Sequence, residues 1–402
     1  MYALEGIRVL DLSRVLAGPI CGQILGDLGA EVIKVENPGK GDDTRGWGVP
    51  IGGGDTSYYY SANRNKESVA IDLASEEGQR LCAELAMQAD VVIENFKLGG
   101  AARFGLDYET LSARKPALVY CSISGYGREG PFAARLGYDA LIQAETGLMS
   151  VNGVEGEPPM KVGVAIADIS TGYYAAHAVL AALFARERSG RGQFIDLSLF
   201  DCGLSLLSFV ANSSLLTGNE PARFGNDHPF VVPYGVFNVA DGPIIIAVGN
   251  DRQFQRLCEK VLGCPELASD PRFIKNADRC ANRQALFPLL QPYLDRFNRA
   301  DLAGKLSENG IPGGEVRSVL EAVRSAEARA RHMVHEVQHP QAGPVSLLGS
   351  PLRLSDSGLR PVSRPPQLGE HSRQVLSRVL SMSDAAIDAL IGKGVVQDGP
   401  QI

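Results

Sequence analysis

A chain of 402 residues is longer than one hydrophobic core usually serves, so two domains are expected. Its 45% hydrophobic and 21% charged residues are those of a globular protein that buries a large core. The formal net charge of -7 argues against the basic face that nucleic acid needs, and no apolar run approaches the ~20 residues of a membrane span, so neither is expected as a partner.

Residues 7–12 (IRVLDL) read as a strand. Gly18 and Pro19 open a helix that runs to near Gly29, and 31–35 (EVIKV) returns as a strand. Residues 68–71, 91–94 and 118–123 are further strands. Residues 75–89 form a helix whose Ser75-Glu-Glu77 start combines an N-cap with first-turn acids. Strands alternating with helices imply an α/β fold, a parallel sheet covered on both faces, with ligands beyond the carboxyl ends of the strands. Residues 171–188 read as a long Ala-rich helix with an apolar face of Tyr173, Ala176, Leu180 and Phe184, followed by a strand at 193–199 and helix over 201–218. A loop through Gly225, Pro229 and Pro233 leads to a strand at 243–248 and several short helices. The expected organisation is a large domain over 1–200, a linker over 201–224, a smaller domain over 225–321, and a return over 322–402 that packs on the large domain through strand-like 344–354 and a helix at 383–391.

The 7 cysteines are odd in number and include no CxxC pair, which reads as buried free thiols in a reducing compartment. The first residues begin a strand rather than a signal sequence, so a cytoplasmic location is expected. Gly125-Tyr-Gly-Arg-Glu-Gly130 has the GxGxxG spacing, but Pro131 follows it and it lies late in the sheet, so it reads as a glycine loop and not a dinucleotide site. His332, His335 and His339 would share one face of a helix, but the HExxH order is absent and Pro340 ends the element, so no metal is expected. Neither a GxSxG nucleophile elbow nor a P-loop occurs.

Asp168 is the informative acid. It closes the run Val162-Gly-Val-Ala-Ile-Ala-Asp168 just before a helix. As an N-cap it would accept the helix's orphan N–H groups. As a nucleophile it would be ionised, a state that a helix N-terminus favours. The two readings are compatible.

Several segments together resemble the class III CoA-transferase family, the formyl-CoA transferase and carnitine CoA-transferase relatives. They are Asp11-Leu-Ser-Arg-Val-Leu-Ala-Gly-Pro19, Gly29-Ala-Glu-Val-Ile-Lys-Val-Glu36, Gly41-Asp-Asp-Thr-Arg-Gly-Trp47 and Asn63-Arg-Asn-Lys66. Glu94-Asn-Phe-Lys97, Arg103-Phe-Gly105, Gly137-Tyr-Asp139, Ala167-Asp168 and Ser189-Gly-Arg-Gly-Gln193 complete the set. The resemblance implies a Rossmann-like large domain, a smaller α+β domain and a homodimer of interlocked chains. It implies Asp168 as the catalytic aspartate and coenzyme A or acyl-CoA as substrate, with no covalently bound cofactor.

Contacts to CoA carry over residue by residue. Val15, Leu16 and Ala17 match the first βα turn beside the nucleotide; Ile71, Asp72, Leu73 and Ala74 match the frame of the adenine. Asn95, Phe96 and Lys97 match the loop beside pantetheine and phosphates, and Arg103 matches a phosphate-binding arginine. Leu136, Gly137, Tyr138 and Asp139 match the stretch facing the thioester. Trp47 matches an acyl-pocket aromatic, and Gly249 a loop that covers the aspartate. Two cations of relatives are missing, at Asn37 and Ala74, so Arg103, Lys97 and Lys66 are expected to meet the phosphates. The implied reaction moves CoA from an acyl-CoA donor, succinyl-CoA by the feel of these segments, to a short dicarboxylate held by Arg45 or His228. An acyl-CoA racemase of the same fold is the alternative; its second base is a histidine where this chain has Tyr138. A CoA-binding protein without catalysis is the alternative of another class.

Overall fold

The computed structural model describes residues 1–399; residues 400–402, the end of the expected C-terminal part, lie outside the described residues. Continuous apolar runs become the central strands, as burial on both faces requires. Strands β1 (Arg8–Asp11), β2 (Glu31–Glu36), β3 (Glu67–Ile71), β4 (Val91–Glu94), β5 (Val119–Ser124) and β6 (Phe194–Ser198) pair in parallel in the order β3-β2-β1-β4-β5-β6. Val396–Gln397 (β7) adds an antiparallel edge to β3. The strand order is that of the doubly wound dinucleotide-binding sheet, which reverses direction between β1 and β4.

Helices α1 (Ala17–Asp27), α2 (Glu76–Gln88), α3 (Asp139–Glu145) and α4 (Ile166–Ser189) belong to this sheet. Successive residues of β1 point to opposite faces, so Val9 joins Leu25 and Val179 on one side and Leu10 joins Leu85 and Val375 on the other. Helices α1 and α4 touch through small residues. A Cβ at Gly172 would lie 2.7 Å from the Ala17 carbonyl oxygen and 2.7 Å from the Ile20 side chain. That contact corrects the expected apolar face of α4. The buried stripe is Gly172, Ala175, Ala176, Val179 and Ala182, while Tyr173 and Phe184 are 51% and 61% exposed. Backbone proximity, not side-chain bulk, selects the packed face. The helix expected over 201–218 is broken into Leu199–Ser205 and Ser208–Thr217, bent by 78°.

The chain divides into two compact units. The first comprises Met1–Leu148, Lys161–Asn212 and the chain from Ala326; the second comprises Met149–Met160 and Ser213–Ser325. The second has a three-stranded antiparallel sheet, Gly313–Glu315 beside Gly242–Ala247 beside Tyr234–Val239. Its core collects Phe237, Ile244, Phe254, Leu290 and Leu302. The segment Met149–Met160 joins it through a bridge between Val154 and Phe224, a pairing that local patterning does not signal.

The histidine run is a strand, not a helix: Val334–His339 pairs with Gly343–Leu348. His339 is buried, accepts the Gln341 and Ala342 N–H groups at Nδ1, and so presents Nε2–H to Asp55 at 3.3 Å. Among the described residues no group of His, Cys, Asp or Glu could hold a metal. All seven cysteines are free thiols; six are buried, and burial pushes Cys82 and Cys121 up to about 12. No single helix among the described residues is long and apolar enough to cross a membrane.

Two buried ion pairs brace the strand ends. Lys34 meets Asp42 at 2.9 Å, and Lys66 meets Asp11 at 2.9 Å while donating to the Pro19 carbonyl and Asn63 Oδ1. Burial lowers the Lys66 ammonium to about 8 against the pull of Asp11. Lys66 is thus a structural cation with no donor left for a phosphate, a correction of its expected role. Removing it strands a buried carboxylate, so Lys66→Met should cost about 3 kcal/mol in urea unfolding, and a cost under about 1 kcal/mol would show the pair to be dispensable.

Candidate active site

The crevice at the β1/β4 reversal is where a parallel sheet places its ligand. After β1 the chain turns at Val15, a β-branched residue held at φ +72°. That conformation costs roughly 1–3 kcal/mol and needs support from its surroundings. Asp42 provides it by accepting the Val15 N–H at 3.2 Å, while Lys34 and Thr44 hold Asp42 in turn. Burial alone would raise the Asp42 carboxyl; Lys34 and the Thr44 bonds bring it down to about 2. Across the crevice, Asn95 exchanges both of its amide groups with the Arg14 backbone, at 3.0 and 2.8 Å, and ties the turn after β4 to the turn after β1.

A cavity of about 550 Å³ opens here. Val15, Leu16 and Ala17 line one side, and Asn95, Phe96 and Lys97 another. Leu136, Gly137 and Tyr138 close it toward Asp168. Lys97 and Arg103 are exposed on its wall and form no ion pair among the described residues, so their charge is free for an anion. Three more arginines were missed by the residue matching. Arg14 faces the cavity from its pair with Asp43, Arg135 from its pair with Glu145, and Arg128 from its bond to Glu94. Arg128 also donates to the Phe96 carbonyl and so fixes the loop that carries Lys97. It comes from the Gly125–Gly130 stretch, whose glycine spacing carries no signal for the arginine within it. A second cavity of about 300 Å³ is lined by Ile71, Leu73 and Ala74 with Val35, Asn37 and Phe104. Arg14 lines both cavities. Asp72 bends back to accept the Ala74 N–H and shapes this turn.

Asp168 sits in the first turn of α4, which begins at Ile166. The capping reading is therefore overturned: no donor among the described residues bonds its carboxylate. The cap comes from elsewhere. Asp139, in the first turn of α3, accepts the Ala167 N–H at 2.8 Å and the Asp168 N–H at 3.4 Å. Asp139 thus faces helix α4 and not the cavity, in contrast to its three neighbours. Burial, and then the like charge of Asp139, raise the Asp168 carboxyl to about 7, so at neutral pH it is only partly ionised. Tyr58 lies in the same field: burial, Asp168 and Asp139 raise its phenol. The half-exposed Trp47 ring packs edge-on against Tyr58 at 5.6 Å, and neither ring lines the cavity that holds Asp168.

Arg45 is the clearest departure from expectation. Its guanidinium is spent on Glu36 at 2.8 Å and Asp55 at 2.7 Å, donates to the Pro366 carbonyl and lies over the Tyr59 ring, so it is not available to a substrate carboxylate. Charge pairs formed over such separations leave no local pattern. His228 and Gly249 belong to the second unit. His228 Nδ1 accepts the Phe230 N–H and its ring tilts on Tyr234, while the Gly249 N–H donates to Gln253.

A family model described as CoA-transferase family III matches residues 4–372. The chain belongs to CoA-transferase family III. It is similar to the succinyl-CoA:glutarate CoA-transferase of Mus musculus, 40% identical over 397 residues that cover 99% of this chain and 91% of that protein. It is also similar to the succinate–glutarate CoA-transferase of Agrobacterium fabrum, 42% identical over 389 residues that cover 95% and 97% of the two chains. A crystal structure of a CAIB/BAIF family protein from Brucella suis superposes with a TM-score of 0.86 at 44% identity, covering 94% of this chain and 99% of that one. The protein is accordingly an enzyme of CoA transfer, which removes the reading of a non-catalytic CoA-binding protein.

The raised Asp168 carboxyl has a stability consequence. It binds a proton more tightly in the folded chain, at about 7, than at its ordinary value of 3.8. Ionising it therefore opposes folding above pH 7, in part between 4 and 7, and not at all below. Asp168→Asn should be more stable than the parent at pH 8 by on the order of 2 kcal/mol and equal to it near pH 3.5, as read by urea midpoints.

Proposed function

We propose that this enzyme transfers CoA from succinyl-CoA to a short dicarboxylic acid through covalent intermediates on Asp168. The observation that carries the reading is a carboxylate free of hydrogen-bond partners among the described residues, opening on a cavity walled by the unpaired Lys97 and Arg103. The adenine fits the smaller apolar cavity at Ile71, Leu73 and Ala74, the phosphates the cations, and the thioester the end near Tyr138. Arg14, which reaches both cavities, together with Arg135, makes up for the cations absent at Asn37 and Ala74.

The steps follow from the chemistry of the group. The Asp168 carboxylate attacks the thioester carbonyl, giving a mixed anhydride and CoA thiolate. The thiolate attacks the aspartyl carbonyl and expels the donor acid, leaving an aspartyl-CoA thioester. The acceptor carboxylate attacks that thioester and expels the thiolate, giving a second mixed anhydride; the thiolate then attacks the acceptor's carbonyl and releases the Asp168 carboxylate. One thioester replaces another, so no ATP is consumed. The names of the Mus musculus and Agrobacterium fabrum relatives support succinyl-CoA and a dicarboxylate as the pair. A homodimer is part of the reading: helix Ser208–Thr217 buries none of its residues and leaves Leu215 and Leu216 83% and 86% exposed, a surface that a second copy would cover. The buried thiols support a cytoplasmic location.

Incubation with succinyl-CoA, acid quenching and peptide mass analysis should find CoA, less one water, on the peptide containing Asp168. Asp168→Ala should lack that adduct and lose transfer to a panel of dicarboxylates by a factor of about 10³ or more. Undiminished transfer in that variant would end the assignment.

A further inference from the structure

We propose that Asp139 is a positioning residue of the transfer: it pins the first turn of α4 behind Asp168, and its negative charge loses a like neighbour whenever Asp168 is acylated. This rests on the covalent role of Asp168 proposed above.

The geometry is that of a cap supplied from another helix. Ala165, the residue preceding α4, has no side-chain oxygen and makes no capping bond. Asp139 Oδ1 takes the Ala167 and Asp168 N–H groups, at 2.8 and 3.4 Å. Asp139 Oδ2 accepts from Gln143 Nε2 at 2.6 Å, and Gln143 Oε1 accepts the Val162 N–H at 2.8 Å. Gln143 is fully buried and so holds both Asp139 and the segment leading into α4. The turn that carries the nucleophile is thus oriented by residues that do not touch the substrate cavity.

The charge argument is independent of the hold. The titratable groups facing Asp168 are Asp139 from α3 and Tyr58 from helix Ser57–Ala62. Arg14, Asp43, Lys97, Arg103, Arg128, Arg135 and the Tyr138 phenol share its cavity, but none pairs with it among the described residues. Two carboxylates therefore stand together with no cation between them, and repulsion raises the energy of the free ionised enzyme. In the half-reaction the Asp168 carboxylate bonds to the acyl carbon, the carbon–sulfur bond breaks, and charge passes to the thiolate. The thiolate then bonds to the aspartyl carbon and the released acid carries the charge away; no proton enters or leaves. The product, a neutral aspartyl thioester beside Asp139, has lost the repulsion, so Asp139 biases the enzyme toward its loaded form.

The test separates charge from hold. Asp139→Asn keeps an oxygen for the Ala167 N–H and removes the charge; Asp139→Ser also removes the charge and spares Gln143 from facing an amide, but its shorter side chain gives up the bond to α4. Gln143→Ala keeps the charge and removes the hold. Circular dichroism establishes which variants fold; kcat/KM for succinyl-CoA is followed against pH, and the loaded fraction by mass at the Asp168 peptide. Both neutral variants should move the acid limb of the profile down by about one pH unit or more and lower the loaded fraction. Gln143→Ala should lower kcat and leave the limb in place. An unmoved limb in the folded neutral variants overturns the proposal. Absence of the adduct in the parent enzyme would instead overturn the covalent reading on which it rests.

Discussion

The approach of α1 to α4 at Gly172 is the constraint on which the site depends. One helix continues from the turn that bears Val15, Leu16 and Ala17; the other begins with the turn that bears Asp168. A side chain at Gly172 would press on the Ala17 carbonyl and Ile20, and would push the turn at Val15, Leu16 and Ala17 away from the turn that bears Asp168. Catalysis by orientation tolerates errors of about an ångström poorly. A hydrogen atom in place of a methyl group therefore sets the distance between the turn after β1 and Asp168.

Around this contact the protein spends its buried charges on scaffolding. Lys34 and Asp42 hold the strained turn; Lys66 and Asp11 tie the end of β1 to the Asn63–Lys66 loop; Glu36, Arg45 and Asp55 fix the segment leading to Trp47. Each pair is fully desolvated or nearly so, and each would be costly to break singly. The cations left at the cavity wall, Lys97 and Arg103, are those without such partners. Division of labour among like-charged residues is thus set by what each one meets across the fold.

That division also explains how far the sequence could be read. The central parallel strands were legible because burial on both faces writes itself as continuous apolar runs, and the edge strand Phe194–Ser198, half-exposed, was legible from its alternation. The state of Asp168 was not. Its burial and the facing Asp139 are products of tertiary packing, and they oppose the ionisation that a helix N-terminus alone would favour. Arg45 and Lys66 looked like ligands for anions because a motif records residue types, while their partners Glu36, Asp55 and Asp11 stand in other segments. The packed face of α4 was misjudged for a related reason: periodicity weighs side-chain size, and here the closest contact is made by backbone. The start of the second unit was missed where Met149–Met160 pairs with residues around Phe224.

The buried cysteines bear on the company this enzyme keeps. Exchange between a thiol and a disulfide requires a thiolate with access to the sulfur it attacks. Cys21, Cys82, Cys121, Cys202, Cys258 and Cys264 are enclosed, and burial keeps Cys82 and Cys121 protonated far above neutrality. A catalyst of CoA transfer works among thiol cofactors and their oxidised dimers. These six sulfur atoms are walled off from mixed-disulfide formation, unlike the half-buried Cys280, so the redox poise of the surrounding CoA pool acts on the supply of substrate and leaves the polypeptide untouched at these six positions.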